Sequence, residues 1–485
     1  MSPPSGGGAE RIARSAALKV LVQATRFGSL VLVVVTARIV GPAEFGKFIF
    51  AYALATILGV ALDFGVSPVL TRAVARDPGV TADRWGTAAT LKLALLGLVG
   101  PLYLATPLLA HRPWDTTMAV WLLGLAIALQ AFVENAVSVF TAVQRLEQEL
   151  QVRLVEKTVL VTVGFGALAL GAGFLGVVVA FVIAAVVALM FATWLIHRRH
   201  TRLEGWWRPV GARALARELA PVAQAQFLGF ATSRLAPVAL ALLAGDQAAG
   251  HFGAAFRVFD VVWVVLASLE AAVYPELART PPGHPRFRAL TMQAFEALLL
   301  VALPIALGLG GGASWLTSWI YGPGYEPAAP VLALLGAAVG CAMLEHLLGV
   351  VLLALDRPRR LRAIAALGFA TSLVVIPGLV VGSGALGGAI AVLLVETVML
   401  VASLVAVRGL AGWPLGRGAA KGLGAAVAGV VVASLLPVGP GRLAGALVAY
   451  AVVLVVLRPV PGSVCLRLLR GAVGRPGPPT TAGVQ

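Results

Sequence analysis

Charge is what this chain has least of. Asp, Glu, Lys and Arg together make up 12% of its 485 residues, against ~25% in ordinary soluble domains. So little charge excludes a water-soluble globular protein of this length. Cysteine is nearly absent too. Cys341 lies in an apolar run and Cys465 in a basic C-terminal stretch, a placement that suits no disulfide, and no Cys/His spacing fits a metal ion. Segments alternating at the strand period are scarce, so helices are left as the way to satisfy the backbone in lipid. No cleavable signal is legible, because Arg11, Arg14 and Lys19 lead directly into a long apolar run. Two glycine-rich strings also lack their context. Gly382-Ser383-Gly384-Ala385-Leu386-Gly387 joins two apolar runs with no strand before it, and Gly308 to Gly312 lacks a following phosphate-loop lysine.

What the chain does have is hydrophobic length. Apolar residues make up 59% and fall into runs of about 20, the length that spans a bilayer as helix. Fourteen spans can be drawn, from 16–40 and 45–66 at the start to 418–436 and 443–457 at the end. Of the 37 Lys and Arg, four fall in the gaps on one side or at the span ends beside them (Arg38, Lys47, Arg112, Arg442) and four deeper within spans (Arg26, Lys92, Arg234, Arg257). The other 29 lie in the alternate gaps, at the span ends beside them and in both tails. That asymmetry predicts a multi-pass membrane protein with both termini in the cytoplasm, and the Ala/Val/Gly/Arg-rich composition suits a bacterial source, hence a bacterial plasma membrane. It accounts for the net charge of +16 without nucleic acid as a partner.

The expected organisation is a cytoplasmic tail over 1–15, six spans over 16–196, a basic cytoplasmic linker over 197–217 and six further spans over 218–407. Two peripheral spans follow over 408–457, then a cytoplasmic tail over 458–485. The linker holds Arg198, Arg199, Arg202, Arg208, Arg213 and Arg217 with Trp206 and Trp207. It reads equally as a connector and as a segment lying against membrane lipids. The two halves look duplicated. Gly41-x4-Gly46-x-Phe48 follows the first span and Gly245-x4-Gly250-x-Phe252 the seventh, 204 residues later. Internal repeats with a site between them are a common transporter plan.

Several segments resemble one family in order along the chain. They are Ala37-Arg38-Ile39-Val40-Gly41-Pro42-Ala43-Glu44-Phe45-Gly46, then Leu62-Asp63-Phe64-Gly65 with Thr71-Arg72-Ala73-Val74-Ala75-Arg76, and Gly250 to Arg257. Tyr321-Gly322-Pro323-Gly324-Tyr325-Glu326 and Gly384 to Ala391 continue the series. The sequence is similar to the polysaccharide-transport flippases, relatives of the multidrug and toxin extruders and of the lipid II flippases. The resemblance implies an all-α membrane fold of about fourteen helices, two six-helix lobes around a central cavity plus two outer helices. It also implies an activity, the movement of an undecaprenyl-diphosphate-linked oligosaccharide between leaflets by alternating access. The implied partners are membrane lipids, the polyprenyl-diphosphate-linked glycan and other membrane proteins of polysaccharide assembly, with no cofactor beyond a coupling H+ or Na+.

Charges inside a membrane cost about 2.5–3.5 kcal/mol each near a helix centre, so they tend to face a wet cavity or a partner. Arg26 follows Thr25, a pair resembling the Ser/Thr-Arg pair with which lipid II flippases face the diphosphate; Arg26 can equally snorkel to the surface. Arg234 sits among Gln224, Gln226 and Ser233. Arg257 and Asp260 are three apart on one helix and can pair with each other. Lys92 is close enough to a helix end to snorkel. These four cations are the cavity candidates. Among the acids, Asp63 reads best as a cap at a span end, while Glu134, Glu345 beside His346, and Glu396 read as coupling or structural polar groups.

Three function classes compete. A lipid-linked oligosaccharide flippase fits the cationic spans, and a lipid II flippase shares the same chemistry. A small-molecule exporter of organic cations is disfavoured, because cationic walls repel that cargo. A membrane enzyme needs an outward loop bearing catalytic groups, and the outward gaps here are short, with only His111 and Asp115 as a His–acid set.

Overall fold

The computed structural model describes residues 8–199, 208–411, 417–436 and 439–457. Among them the elements are helices, with no strand. In the first half these are α1 (Gly8–Asp63), α2 (Val66–Arg76), α3 (Thr81–Leu109), α4 (Trp114–Ala142), α5 (Leu146–Ala169) and α6 (Gly173–Arg199). The second half has α7 (Pro209–Leu243), α8 (Asp246–Arg279), α9 (Pro285–Gly311), α10 (Ala313–Tyr321), α11 (Ala328–Ala354) and α12 (Pro358–Ala411). A last pair, α13 (Arg417–Leu435) and α14 (Pro440–Leu457), packs against α9, where the Tyr450 hydroxyl donates to the Leu300 carbonyl at 3.0 Å.

Every expected span falls on a helix, but two pairs of spans share one. Eight described stretches are long and apolar enough to cross a membrane. Two of them, Gly28–Arg76 and Pro358–Arg408, run to 49 and 51 residues, more than twice the ~20 that one crossing needs. The second bends at Gly384 alone, while the first bends at Gly41 and turns again at Phe64 and Gly65, between α1 and α2. Gly41 has φ 78° and ψ 171°, a conformation open to glycine at little cost, and Pro42 begins the next stretch where its missing N–H is no loss. Gly384 does the same in α12 at φ 53°. Gly245, between α7 and α8, has φ 88° and ψ 170°. The two glycines that the sequence pairs across 204 residues therefore adopt the same backbone corner.

Two short helices occupy stretches read from the sequence as gaps. In α2, Val66, Leu70 and Val74 are buried at a spacing of four while Arg72 and Arg76 point away. Such a one-sided helix of 11 residues is amphipathic rather than apolar and escapes a search for long hydrophobic runs. On α10, Trp315 and Trp319 stack with ring centroids 5.8 Å apart, as suits aromatic side chains at a membrane interface.

The basic linker is shorter than expected. α6 extends to Arg199 and α7 begins at Pro209, and Ala212 and Leu215 of α7 are buried beside Trp85 and Leu195 of the first half. The Arg198 guanidinium lies over the Trp194 ring at 5.2 Å. Arg202, Trp206, Trp207, residues 1–7 and the whole C-terminal tail with Cys465 lie outside the described residues. A continuous apolar core joins the halves, with Phe45 and Phe48 of α1 beside Phe252 of α8 and Leu332 of α11.

Candidate functional site

A charge cluster with two cations lies between the two halves, built by α7, α8 and α1. Arg234 of α7 and Arg257 of α8 converge on one carboxylate, Asp260. Arg234 Nη2 lies 3.4 Å from Asp260 Oδ1, and Arg257 Nη1 lies 3.6 Å from Asp260 Oδ2. The Arg257–Asp260 pairing is the one their spacing on the helix predicts. The Arg234–Asp260 pairing crosses between helices and has no sequence signature.

Aromatic faces hold both guanidinium groups in place. Arg257 stacks over the ring of Tyr52, on α1, at 4.2 Å, and so reaches across from the second half to the first. Arg234 lies 5.2 Å from the Phe230 ring and 5.3 Å from Phe256. Such cation–π contacts are worth about 0.5–2 kcal/mol each and leave the guanidinium edges available to an anion. The Nε of Arg234 is buried and has no hydrogen-bond partner. With two arginines and one aspartate, the cluster keeps one positive charge in excess. Gln226, two turns earlier on α7, instead faces Gly65, in the turn between α1 and α2.

Lys92 has a different place. Its side chain is fully buried rather than snorkelling, and Nζ donates to the Ala131 carbonyl at 2.7 Å and to Asp63 Oδ1 at 3.3 Å. Ser67 donates to the same Asp63 oxygen. Asp63 thus ties the end of α1 to α2 and α3 through the side chains of Ser67 and Lys92, and α2 begins without a side-chain cap. Arg26 lies on α1, with its side chain outside the described residues.

Glu134 belongs to a network that the sequence reading missed. Arg153 Nη2 lies 2.8 Å from Glu134 Oε2 and Arg153 Nη1 lies 3.6 Å from Glu156 Oε2, while Lys157 Nζ lies 2.6 Å from Glu156 Oε1. Gln130 donates to both glutamates. Arg153 and Lys157 look like loop charges in the sequence, yet both lie inside α5. The available signal was the periodicity: Arg153, Glu156 and Lys157 share one helical face.

The Glu345–His346 pair does not point one way. Glu345 is buried and accepts from the Ser403 hydroxyl at 3.4 Å, while His346 is exposed. Neighbouring helical residues diverge by about 100°. Glu396 of α12 comes within electrostatic reach of Glu345 instead, and Cys341 Sγ lies 3.9 Å from the Thr397 hydroxyl. Among the described residues, no group of three or more His, Cys, Asp and Glu is arranged to hold a metal ion.

The fold recurs in solved structures. The chain is similar to the lipid II flippase MurJ in an inward closed conformation, with a TM-score of 0.73 at 12% identity over 94% of this chain and 99% of that one. It is similar to an inward-facing multidrug resistance MATE family transporter of the MOP superfamily, at a TM-score of 0.61 and 15% identity over 79% and 94%. A Vibrio cholerae MATE transporter, VcmN, gives 0.55 at 20% identity over 83% and 98%. No curated protein matches in sequence. Residues 13–280, more than half of the chain, match the profile of the family described as "Polysaccharide biosynthesis protein". With that match and this helical membrane fold, the chain belongs to the polysaccharide biosynthesis protein family.

Proposed function

We propose that the protein is a flippase, not an enzyme. It carries an undecaprenyl-diphosphate-linked oligosaccharide from the cytoplasmic to the outer leaflet of a bacterial plasma membrane by alternating access, for cell-surface polysaccharide. The observation that carries this reading is the convergence of Arg234 and Arg257 on one carboxylate at the junction of the halves. Arginine presents a planar fork of donors that matches phosphate oxygens two at a time. The excess positive charge suits a diphosphate, and the rings of Tyr52, Phe230 and Phe256 keep the arginines splayed and partly desolvated. The sugars would occupy the polar space between the halves, while the polyprenyl tail stays in lipid. Arg26 would meet the diphosphate nearer the cytoplasmic side.

The same positive excess weighs against a multidrug-type exporter of organic cations. A lipid II flippase remains the alternative, because its cargo carries the same diphosphate and differs in the sugar. Glu345 and Glu396, sharing one region of α11 and α12, are the groups best placed to take a coupling H+ or Na+. The surrounding membrane lipids and other polysaccharide-assembly proteins are the partners expected.

The test is reconstitution. Liposomes containing the purified protein and a fluorescent undecaprenyl-diphosphate oligosaccharide are exposed to a membrane-impermeant quencher. Cargo should become accessible with the native protein and stay inaccessible with Arg234→Ala. Equal accessibility with Arg234→Ala and with Arg257→Ala would overturn the arginine-clamp reading.

A further inference from the structure

The two copies of the duplicated glycine motif touch each other. A Cβ added at Gly46 would lie 1.8 Å from the carbonyl oxygen of Asp246, and one added at Gly250 would lie 1.8 Å from the carbonyl oxygen of Pro42. The cross-contacts repeat the pattern: 3.0 Å from Gly46 to the Gly250 nitrogen and 3.2 Å from Gly250 to the Gly46 nitrogen. Pro42 and Asp246 hold equivalent positions in the two copies, as do Gly46 and Gly250. The contact is therefore reciprocal, the kind made by two related surfaces across a two-fold axis. Backbone meets backbone here, and only glycine permits that approach.

We propose that this paired motif is the outward gate, a backbone clasp that shuts the mouth above the arginine cluster and must part for cargo to leave. The clasp lies at the end of the bundle that the charge asymmetry assigns to the outside. Tyr52 is six residues beyond Gly46 and Arg257 seven beyond Gly250, so the cluster sits about 10 Å deeper at 1.5 Å per residue.

Side chains flank the clasp and cross between the halves. The Tyr325 hydroxyl donates to the Ala37 carbonyl at 2.9 Å, and Arg38 donates to the Trp319 carbonyl at 2.7 Å. Arg112, in the turn between α3 and α4, donates to the Ala241 carbonyl at 2.9 Å and pairs with the Asp246 carboxylate. Lys47 braces the first copy from within its own half, 2.7 Å from Glu44 and 2.6 Å from Asp115. Cations on the outward side run against the topology rule, and three of the four this chain keeps there are engaged at the clasp. That gives them a purpose the topology does not.

The clasp depends on the flippase reading only for what passes through it. Its test needs no cargo. In a Cys341→Ser, Cys465→Ser background, Thr56→Cys places a thiol one turn below Tyr52 on the same face of α1. A membrane-impermeant maleimide is applied to the outer face of right-side-out vesicles. Labelling should be slow in this parent and rise at least about tenfold with Gly46→Ala or Gly250→Ala, equivalent to ~1.4 kcal/mol in the closed–open balance. Arg112→Gln should act in the same direction and decides the matter if the glycine variants fail to insert. Gly164→Ala, where a Cβ would press on the Leu32 side chain inside the first half, should leave labelling unchanged. Rapid labelling of the parent, or parent-rate labelling in inserted Gly46→Ala and Arg112→Gln variants, overturns the clasp. Failure of the parent protein to transport cargo, with these labelling changes intact in the variants, would instead count against the flippase reading.

Discussion

The charge balance at Asp260 gives a prediction whose sign follows from counting. Arg234 and Arg257 share Asp260, leaving a net charge of +1. Arg234→Ala takes the cluster to zero, Asp260→Asn takes it to +2, and the double variant returns it to +1. A hydrogen bond to a charged group contributes about 1.5–3 kcal/mol, which corresponds to a ~10- to 150-fold change in affinity. Binding of a short-chain polyprenyl diphosphate to the purified protein should therefore weaken by that factor in Arg234→Ala. It should tighten in Asp260→Asn and return near the native value in the double variant. Turnover should fall in Asp260→Asn despite the tighter binding, because cargo held more firmly leaves more slowly. Titration calorimetry in detergent reads the affinities, and thermal unfolding of each variant checks that the fold survives. Equal affinity across the four proteins, or a double variant as weak as Arg234→Ala, would refute the reasoning.

Other variants separate structural charges from functional ones. Lys92→Met leaves the partly exposed Asp63 carboxylate with the Ser67 hydroxyl alone and should cost about 1–3 kcal/mol of stability, seen as a lowered melting temperature, with Asp63→Asn recovering part of it. Gly124→Ala should destabilise by about 1–3 kcal/mol, because the added methyl would sit 2.3 Å from the Tyr103 ring; thermal unfolding reads the loss. Glu345→Gln and Glu396→Gln should leave diphosphate affinity unchanged but abolish the response of transport to an imposed proton or sodium gradient, measured in liposomes. An unaltered gradient response in both would remove these carboxylates from coupling.

The helices were legible because lipid demands long apolar runs, and the asymmetric placement of Lys and Arg ordered them. The Arg257–Asp260 pair was legible because both residues share one helix face. The Arg234–Asp260 contact was not, since it depends on how α7 lies against α8. Arg153 and Lys157 misled for a physical reason: a charge near a span end looks the same in sequence whether it is hydrated or, like Arg153, paired inside the bundle with Glu134 and Glu156. Lys92 misled in the same way, because a lysine near a helix end can snorkel or turn inward to a carboxylate. The duplicated glycines were visible as a repeat, but nothing in one dimension says that the copies meet. Gly41 and Gly384 fall in the gaps drawn between spans, but the sequence does not tell that each corner takes one residue and leaves the helices on either side nearly continuous.

The central claim is that this protein moves a polyprenyl-diphosphate glycan between leaflets. The most direct measurement is the leaflet distribution of polyprenyl-linked sugars in cells depleted of it. Depletion should cause accumulation on the cytoplasmic side and loss of a surface glycan, restored by the native protein but not by Arg234→Ala. An unchanged distribution, in cells with no second flippase of this family, would contradict it.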